Sequence, residues 1–302
     1  MNLPSLRQLQ YLRAVIELRH FGKAAERCFV TQSTLSSGIQ ELENILGVQL
    51  LERSKRHVVP TLLGEAVAAK AEKIIQLSEE MVEMTYTPDQ PLARALRLGV
   101  IPTIGPYLLP WVLPTIRQQF PLLELRLVED QSAHLIQQLE AGTLDVAIIA
   151  FPYPLNKLKL SHTIFWQENF CVALPTQHHL AQQTCITTQN LPKDELLLLE
   201  EGHCLTDHAL SVCNMDDLKI SSTFQGTSLY TLLQMVAGGQ GVTFVPEMAI
   251  HTGQLNIQDI CLVPLQEPAP HREIGLVWRK SFYRQEDLYL LAQYMQNCMQ
   301  QG

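Results

Sequence analysis

The 302-residue sequence is 46% hydrophobic and 17% charged, which supports packed cores and excludes an intrinsically disordered chain. A formal net charge of −8 is unusual for a nucleic-acid binder, but the charge is unevenly distributed. Residues 1–60 carry eight Lys/Arg against five Asp/Glu, whereas residues 61–302 are net negative. The charge pattern therefore permits DNA binding by the N-terminal segment alone.

Length and apolar patterning predict a protein of about two domains that is not inserted in a membrane. The first residues lack the apolar run of a signal peptide, and no segment approaches the roughly 20 apolar residues that span a bilayer. We expect a soluble cytoplasmic protein. Its seven cysteines should then be reduced, and their odd number does not indicate a disulfide framework.

The N-terminal segment predicts a helix-turn-helix. Apolar residues at helical spacing run through residues 5–18, and a short alanine-containing helix follows. Thr31 is the predicted N-cap of the next helix, over residues 33–46, and Gly47 ends it. A basic hairpin comes after this helix, so residues 1–60 are predicted to form a winged helix-turn-helix.

Hydrogen-bonding side chains lie on the first turns of the second motif helix, where base edges and phosphates are met. The DNA contacts predicted there are Thr31, Gln32, Ser33, Thr34, Ser36 and Ser37. The hairpin adds predicted contacts to phosphates or the minor groove from Arg53, Lys55 and Arg56. Each feature alone is also explained by a helix cap or a solvated loop, but their order favours DNA binding.

A family resemblance accompanies these elements. The stretch AAERCFVTQSTLSSGIQELENILGVQLLER resembles the DNA-binding domain of LysR-type transcriptional regulators. It departs from many relatives at Ser33, where they carry proline, and at Gln40, where a basic residue is common. The resemblance implies a winged helix-turn-helix, and the two departures concern operator preference.

Residues 61–86 contain no proline and many helix formers, which predicts a helix roughly 39 Å long. Its apolar seam consists of Val67, Ala71, Ile74, Leu77 and Met81, continued by Met84. We expect this seam to pair two subunits, the alternative being packing against its own domain. LysR-type proteins dimerise through this helix, so the resemblance favours the dimer. Residues 87–94 hold two prolines and are the predicted hinge.

Residues 95–302 alternate strands and helices, which predicts a parallel α/β sheet. The resemblance implies a regulatory domain of two Rossmann-like lobes of the periplasmic-binding-protein type. We expect lobe I to comprise residues 95–164 and 269–302, and lobe II residues 165–268. Ligands of such sheets lie beyond the carboxyl ends of strands, where Thr103 and Ser132 place hydroxyl groups. No phosphate-cradling glycine motif is present, so we expect no cofactor.

The stretch EEGHCLTDHALSVCN, residues 200–214, contains two cysteines nine positions apart. Cys204 precedes a run with helical spacing, and a helix N-terminus favours a thiolate of the kind that peroxide oxidises. If residues 204–213 were helical, Cys204 and Cys213 would be about 13.5 Å apart along the axis, too far for a disulfide. Bond formation would therefore require the segment to unwind.

Two other readings of this stretch stay open on chemistry alone. A buried thiol is ordinarily inert, and two of seven cysteines can fall nine positions apart without a functional reason. A zinc site built from His203, Cys204, His208 and Cys213 is also possible. Its ligand spacing fits the usual zinc patterns poorly, so we expect no metal.

The same stretch closely resembles the redox segment of OxyR, the hydrogen-peroxide-sensing branch of the LysR-type family. VIPTIGPYLLP, EDQSAHLIQQL and REIGLVWR carry the likeness along nearly the whole chain. The resemblance implies that Cys204 is the peroxidatic cysteine and Cys213 the resolving one. The remaining predicted site residues are His203, Thr103, Ser132, Asp207 and Arg272. Thr206 stands where some OxyR proteins carry arginine, which concerns peroxide sensitivity.

We therefore predict a DNA-binding transcriptional regulator, and not a turnover enzyme, that controls oxidative-stress genes through a Cys204–Cys213 disulfide. The resemblance implies a homodimer or homotetramer that engages promoter DNA and RNA polymerase, and a cellular thiol that restores the reduced state. One alternative is a LysR-type regulator with a small metabolite between its lobes, held by Thr103, Ser132 and Arg272. Another is a thiol peroxidase.

Overall fold

A computed structural model describes residues 2–53, 58–86, 90–156, 158–200, 202, 225–226, 228–251, 259–266 and 271–301. The chain divides into two compact units, Met1–Pro88 and Asp89–Gly302. We name them the head and the regulatory unit. Among the described residues, no helix combines the length and apolarity needed to cross a bilayer.

Three helices form the core of the head: α1 (Leu6–Leu18), α2 (Phe21–Arg27) and α3 (Gln32–Leu46). Thr31 caps α3 as predicted, because its side chain accepts the amide hydrogen of Thr34. Gly47 ends α3 in the left-handed conformation, at φ 68°. The helix begins at Gln32, one residue before the predicted start.

Helices α1 and α3 approach closely because one position on α3 has no side chain. A Cβ atom on Gly38 would lie 2.7 Å from the Tyr11 ring. Leu12, Leu35 and Ile39 are fully buried around this contact. The close approach fixes the orientation of α3, whose first turn carries the predicted DNA contacts.

The predicted wing is a two-stranded antiparallel hairpin of β1 (Leu51–Arg53) and β2 (Val58–Pro60). The Glu43 carboxylate on α3 accepts the amide hydrogens of Leu50 and Leu51 at 2.8 and 3.2 Å, which attaches the hairpin to α3. Arg53 is the last residue of β1. The other predicted wing contacts, Lys55 and Arg56, lie outside the described residues.

The connector is one helix, α4 (Leu62–Tyr86), and its predicted dimer seam is divided. Ala71 is 1% exposed and packs in the core of its own head, which leaves little of its surface for the predicted subunit interface. Val67 packs partly buried against the same core. The reason is that α4 lies along α1, which covers one side of the stripe. Ile74, Leu77 and Met81 are 50%, 62% and 68% exposed and remain the predicted interface.

The regulatory unit contains nine described strands and five α-helices. The strands are β3 (Ala95–Val100), β4 (Glu124–Glu129), β5 (Val146–Phe151), β6 (Leu160–Pro175), β7 (Leu198–Leu199), β8 (Gln225–Gly226), β9 (Thr243–Pro246), β10 (Ile260–Pro264) and β11 (His271–Arg279). The helices are α5 (Gly105–Gln119), α6 (Ser132–Ala141), α7 (Leu229–Ala237), α8 (Glu247–His251) and α9 (Gln285–Gln301).

The main sheet has the strand order β10-β6-β11-β5-β3-β4, with β9 also paired to β6. The parallel arrangement was predicted correctly for β3 with β4 and β5, and β7 and β8 also pair in parallel. It is wrong for β6, which pairs antiparallel with β9, β10 and β11. Cys171 lies in the second half of the sixteen-residue β6.

Strand β6 changes partners along its length. Up to Asn169 it pairs with β11, and from Phe170 it pairs with β9 and β10. The change lies close to residue 165, near which the first crossing between lobes was predicted, whereas the second predicted crossing, near residue 268, lies outside the described residues. The lobe boundaries stay predictions. The change of partners places the start of β11 and the start of α8 beside the same stretch of β6.

Candidate functional site

Two predicted hydroxyl residues lie at the same edge of the sheet. Strands β3 and β4 end in register, with Val100 opposite Glu129, and the Asp130 amide donates to the Val100 carbonyl at 3.2 Å. The loops that follow these strands carry Thr103 and Ser132, which are both 2% exposed. Ser132 is the first residue of α6. The carboxyl ends of the two strands therefore form a buried polar edge, as the sequence predicted.

Arg272 joins this edge from β11. Its side chain is fully buried. Its Nη1 donates to Thr103 Oγ1 and its Nη2 to the Thr103 carbonyl oxygen, both at 3.0 Å. Because the Thr103 oxygen accepts a hydrogen bond from Arg272, the Thr103 hydroxyl hydrogen remains available to an acceptor other than this guanidinium.

Glu168 completes the group and was not identified from the sequence. It lies directly opposite Arg272 in the antiparallel pair of β6 and β11, and Arg272 Nε donates to its Oε1 at 2.7 Å. Its Oε2 accepts the Met248 amide hydrogen at 2.7 Å, at the start of α8. We name Thr103, Glu168 and Arg272 the arginine cluster. An acidic residue entering an apolar strand, as in QENFCVALP, indicates a buried partner, and this signal would have found it.

Tyr107 lies in the same electrostatic environment. Burial raises the pKa of its phenol, the positive charge of Arg272 opposes this rise, and the Glu129 carboxylate adds to it. The Phe170 ring lies near the guanidinium, with its centroid 5.9 Å from Arg272 Cζ. Thr103, Glu168 and Arg272 are at most 2% exposed, and exclusion of water strengthens their hydrogen bonds.

Gly202, the residue before His203, lies close to this edge. It has φ +94°, and a Cβ atom there would lie 2.6 Å from Oε1 of Gln131, the residue before Ser132. The chain immediately before His203 therefore passes beside the start of α6. The predicted residues His203, Cys204, Asp207 and Cys213 lie outside the described residues, so the structure does not place them.

The cysteines in the described part of the chain are free thiols: Cys28, Cys171, Cys185, Cys261 and Cys298. Burial, followed by the charge of Glu247, raises the pKa of Cys171 to about 11, so this thiol is neutral at pH 7. Burial also raises the pKa of Cys28, against the lowering effect of Arg27 and Arg13. Cys171 is buried, and Cys28 is half-buried and packs against the core of the head.

The predicted DNA contacts at the start of α3 form a second polar region, which we name the recognition face. Five of its six members are exposed and Ser36 is half-buried; the members are Thr31, Gln32, Ser33, Thr34, Ser36 and Ser37. The Thr31 oxygen is occupied by the helix cap and by the hydroxyls of Ser33 and Thr34, at 2.9 and 2.8 Å. Thr31 therefore stabilises the start of α3 as its N-cap, a role that Gln32 does not have.

Comparison with known families agrees with both units. Residues 6–65 match the model described as a bacterial regulatory helix-turn-helix protein of the lysR family. Residues 89–300 match the LysR substrate binding domain. The chain belongs to the LysR family. The predicted fold class is confirmed, and the chain is a transcriptional regulator, so the thiol peroxidase alternative is excluded.

Individual relatives carry two kinds of name. The HTH-type transcriptional regulator EstR of Acinetobacter baylyi is 41% identical over 279 residues, 92% of either chain. The hydrogen peroxide-inducible genes activator of Haemophilus influenzae is 38% identical over 275 residues, 91% of this chain and 90% of that protein. Full-length OxyR of Pseudomonas aeruginosa, solved as a cysteine-to-aspartate variant, superposes with a TM-score of 0.77 at 34% identity, covering 98% and 99% of the two chains.

Proposed function

We propose that this LysR-family regulator responds to hydrogen peroxide through a reversible disulfide between Cys204 and Cys213 and thereby controls transcription of oxidative-stress genes. The proposal rests on the arginine cluster. A small neutral oxidant needs hydrogen-bond donors that are already aligned, and Thr103 is held with its hydroxyl hydrogen free of the arginine. The names of the peroxide-inducible relative and of the OxyR structure support the same reading.

The first chemical step is attack of the Cys204 thiolate on one peroxide oxygen. The O–O bond breaks, the sulfur becomes a sulfenic acid, and the departing hydroxide takes a proton to become water. Thr103 and Ser132 are proposed to orient the peroxide and donate hydrogen bonds to the departing oxygen. Hydroxide is a poor leaving group, so donors aimed at that oxygen lower the barrier.

The second step is attack of the Cys213 thiolate on the Cys204 sulfenic sulfur. The S–O bond breaks, a second water leaves, and the two thiols have lost two electrons to peroxide. We propose that the resulting repacking changes how a dimer or tetramer presents its paired recognition faces to promoter DNA and RNA polymerase in the cytoplasm. A cellular dithiol reductant would reverse the bond.

A second candidate follows from EstR, which is more similar in sequence than the peroxide-inducible relative. In that reading a small metabolite occupies the space beside Thr103, Ser132 and Arg272. The geometry disfavours an anionic metabolite, because Glu168 already supplies a carboxylate to Arg272 at 2.7 Å. An incoming carboxylate would have to displace Glu168 from a fully buried ion pair, which is costly.

The decisive experiment compares two cysteine variants in a promoter-binding assay. Cys204→Ser should abolish the change in DNase footprint that one equivalent of peroxide causes in the wild-type protein. Cys185→Ser is the control, because Cys185 is an exposed free thiol. It should respond as the wild type does. A full peroxide response in Cys204→Ser, or none in the wild type, would refute the proposal and direct the search to metabolites.

A further inference from the structure

We propose that Glu168 is a positioning residue of the peroxide response, acting through Arg272 on Thr103. This inference rests on the proposed function of Cys204. Both carboxylate oxygens of Glu168 are engaged: one accepts a hydrogen bond from Arg272 Nε and the other from the Met248 amide, both at 2.7 Å. It therefore acts on the orientation and the charge of Arg272.

Orientation is the first effect. The guanidinium is planar, so fixing Nε against Glu168 fixes the directions in which Nη1 and Nη2 point. Those two nitrogens hold the Thr103 oxygen atoms, each at 3.0 Å. With its lone pair engaged, the Thr103 hydroxyl presents its hydrogen elsewhere. Releasing Glu168 would free the guanidinium to rotate, and the Thr103 hydroxyl would lose this constraint.

Charge is the second effect. The buried Glu168 carboxylate lies against the Arg272 guanidinium and offsets its charge, which limits the electrostatic stabilisation that Arg272 can give to the Cys204 thiolate. Glu168 thus makes Arg272 mainly a holder of Thr103. Removing the negative charge of Glu168 while keeping its shape should leave the positive charge of Arg272 without a counter-charge.

Glu168→Gln tests both effects, with Glu247→Gln as the matched control. Glu168 accepts the Met248 amide, and the neighbouring Glu247 accepts the Asn169 amide at 3.1 Å, so both carboxylates join β6 to α8. Within the described part of the chain, Glu247 makes no hydrogen bond to Arg272. Both residues therefore help to hold β6 against α8, but only Glu168 bonds to Arg272. An effect seen in Glu168→Gln and not in Glu247→Gln is due to the contact with Arg272.

In Glu168→Gln we expect peroxide to oxidise Cys204 about tenfold more slowly, measured at a pH where the thiol is fully ionised. The reason is that the Thr103 hydroxyl is no longer held in its orientation. The pH midpoint of Cys204 alkylation should shift downward, because the exposed Arg272 charge favours the thiolate. Glu247→Gln should change neither. Glu168→Asp keeps the negative charge and should retain the wild-type pH midpoint. It also provides a folded variant for measurement if Glu168→Gln unfolds.

A double variant shows whether Glu168 acts through Thr103. If it does, adding Glu168→Gln to Thr103→Val should lower the rate of Cys204 oxidation by less than about twofold more. The effects of coupled residues are not additive. A wild-type rate and pH midpoint in Glu168→Gln, or fully multiplicative rates in the double variant, would overturn the inference. Slow oxidation of wild-type Cys204, no faster than an unperturbed thiol, would instead refute the proposed function itself.

Discussion

The recognition face and the arginine cluster are both polar, and they use polarity in opposite ways. On the recognition face the side chains are mostly exposed, and only Thr31 is held by several internal hydrogen bonds. In the arginine cluster Thr103, Glu168 and Arg272 are at most 2% exposed and bonded to one another. A large partner brings its own groups to an exposed surface, whereas a molecule of a few atoms must find donors already fixed.

The difference has an energetic consequence. Exposed polar groups contribute little to folding and can be changed at little cost to it. Buried polar groups must be fully paired, because one unpaired member costs more than the pair gained. Substitutions on the recognition face should therefore change DNA binding with little loss of stability, whereas substitutions in the arginine cluster should lower stability as well. The following variants test this from the largest expected effect to the smallest.

Arg272→Met should give the largest loss of stability, because it leaves the buried Glu168 carboxylate without its cation. We expect unfolding of the regulatory unit to become easier by about 3–5 kcal/mol in urea titrations. The matched control is Arg126→Met, which removes an exposed pair with Glu124 at 3.3 Å and should cost less than about 1 kcal/mol. Equal losses from the two variants would contradict the contrast between buried and exposed polar groups.

Thr103→Val should separate stability from chemistry. We expect a rate of Cys204 oxidation roughly 10²-fold lower, as when one preorganised donor is lost, together with destabilisation of about 1–3 kcal/mol. Thr243→Val is the control: Thr243 is equally buried and its hydroxyl donates to the Leu197 carbonyl at 2.8 Å. It should show the same destabilisation and an unchanged rate. A rate lost in both variants would mean that stability alone controls the reaction.

Gln32→Ala and Thr31→Ala should distinguish DNA binding from helix stability on the recognition face. Gln32 is exposed, so its removal should weaken operator binding by about 1–3 kcal/mol and leave thermal unfolding nearly unchanged. Thr31 caps α3, so its removal should also lower the stability of the head by about 1 kcal/mol. Binding titrations and thermal unfolding on the same samples measure both. Identical profiles for the two variants would remove the distinction.

Cys171 should show the smallest effect at neutral pH, because its influence on stability appears only at high pH. Its pKa is raised to about 11 in the folded protein, above the ordinary thiol value near 8.5. The unfolded thiol therefore loses its proton first, and stability should fall as the pH rises from about 9 to 11. Cys171→Ala should flatten this fall. Rapid alkylation of Cys171 at pH 8 in the folded protein would contradict it.

The sequence predicted the head almost completely because its signals are local. The Thr31 cap, the Gly47 stop and the apolar spacing each act within a few residues. It predicted Thr103 and Ser132 as well, because polar residues after strands share one edge of a sheet. It did not identify Glu168, since pairing with Arg272 depends on a contact across 104 positions. The sequence also did not show that part of the apolar stripe of α4 packs within its own head, because this depends on where α1 lies.

The central proposal is that hydrogen peroxide drives formation of a disulfide between Cys204 and Cys213. The most direct measurement treats the reduced protein with about one equivalent of hydrogen peroxide and maps disulfides by non-reducing peptide mass spectrometry. The account predicts a linked Cys204–Cys213 peptide that is absent before treatment and forms much more slowly in Thr103→Val. A Cys204 thiol that stays free after treatment would contradict it.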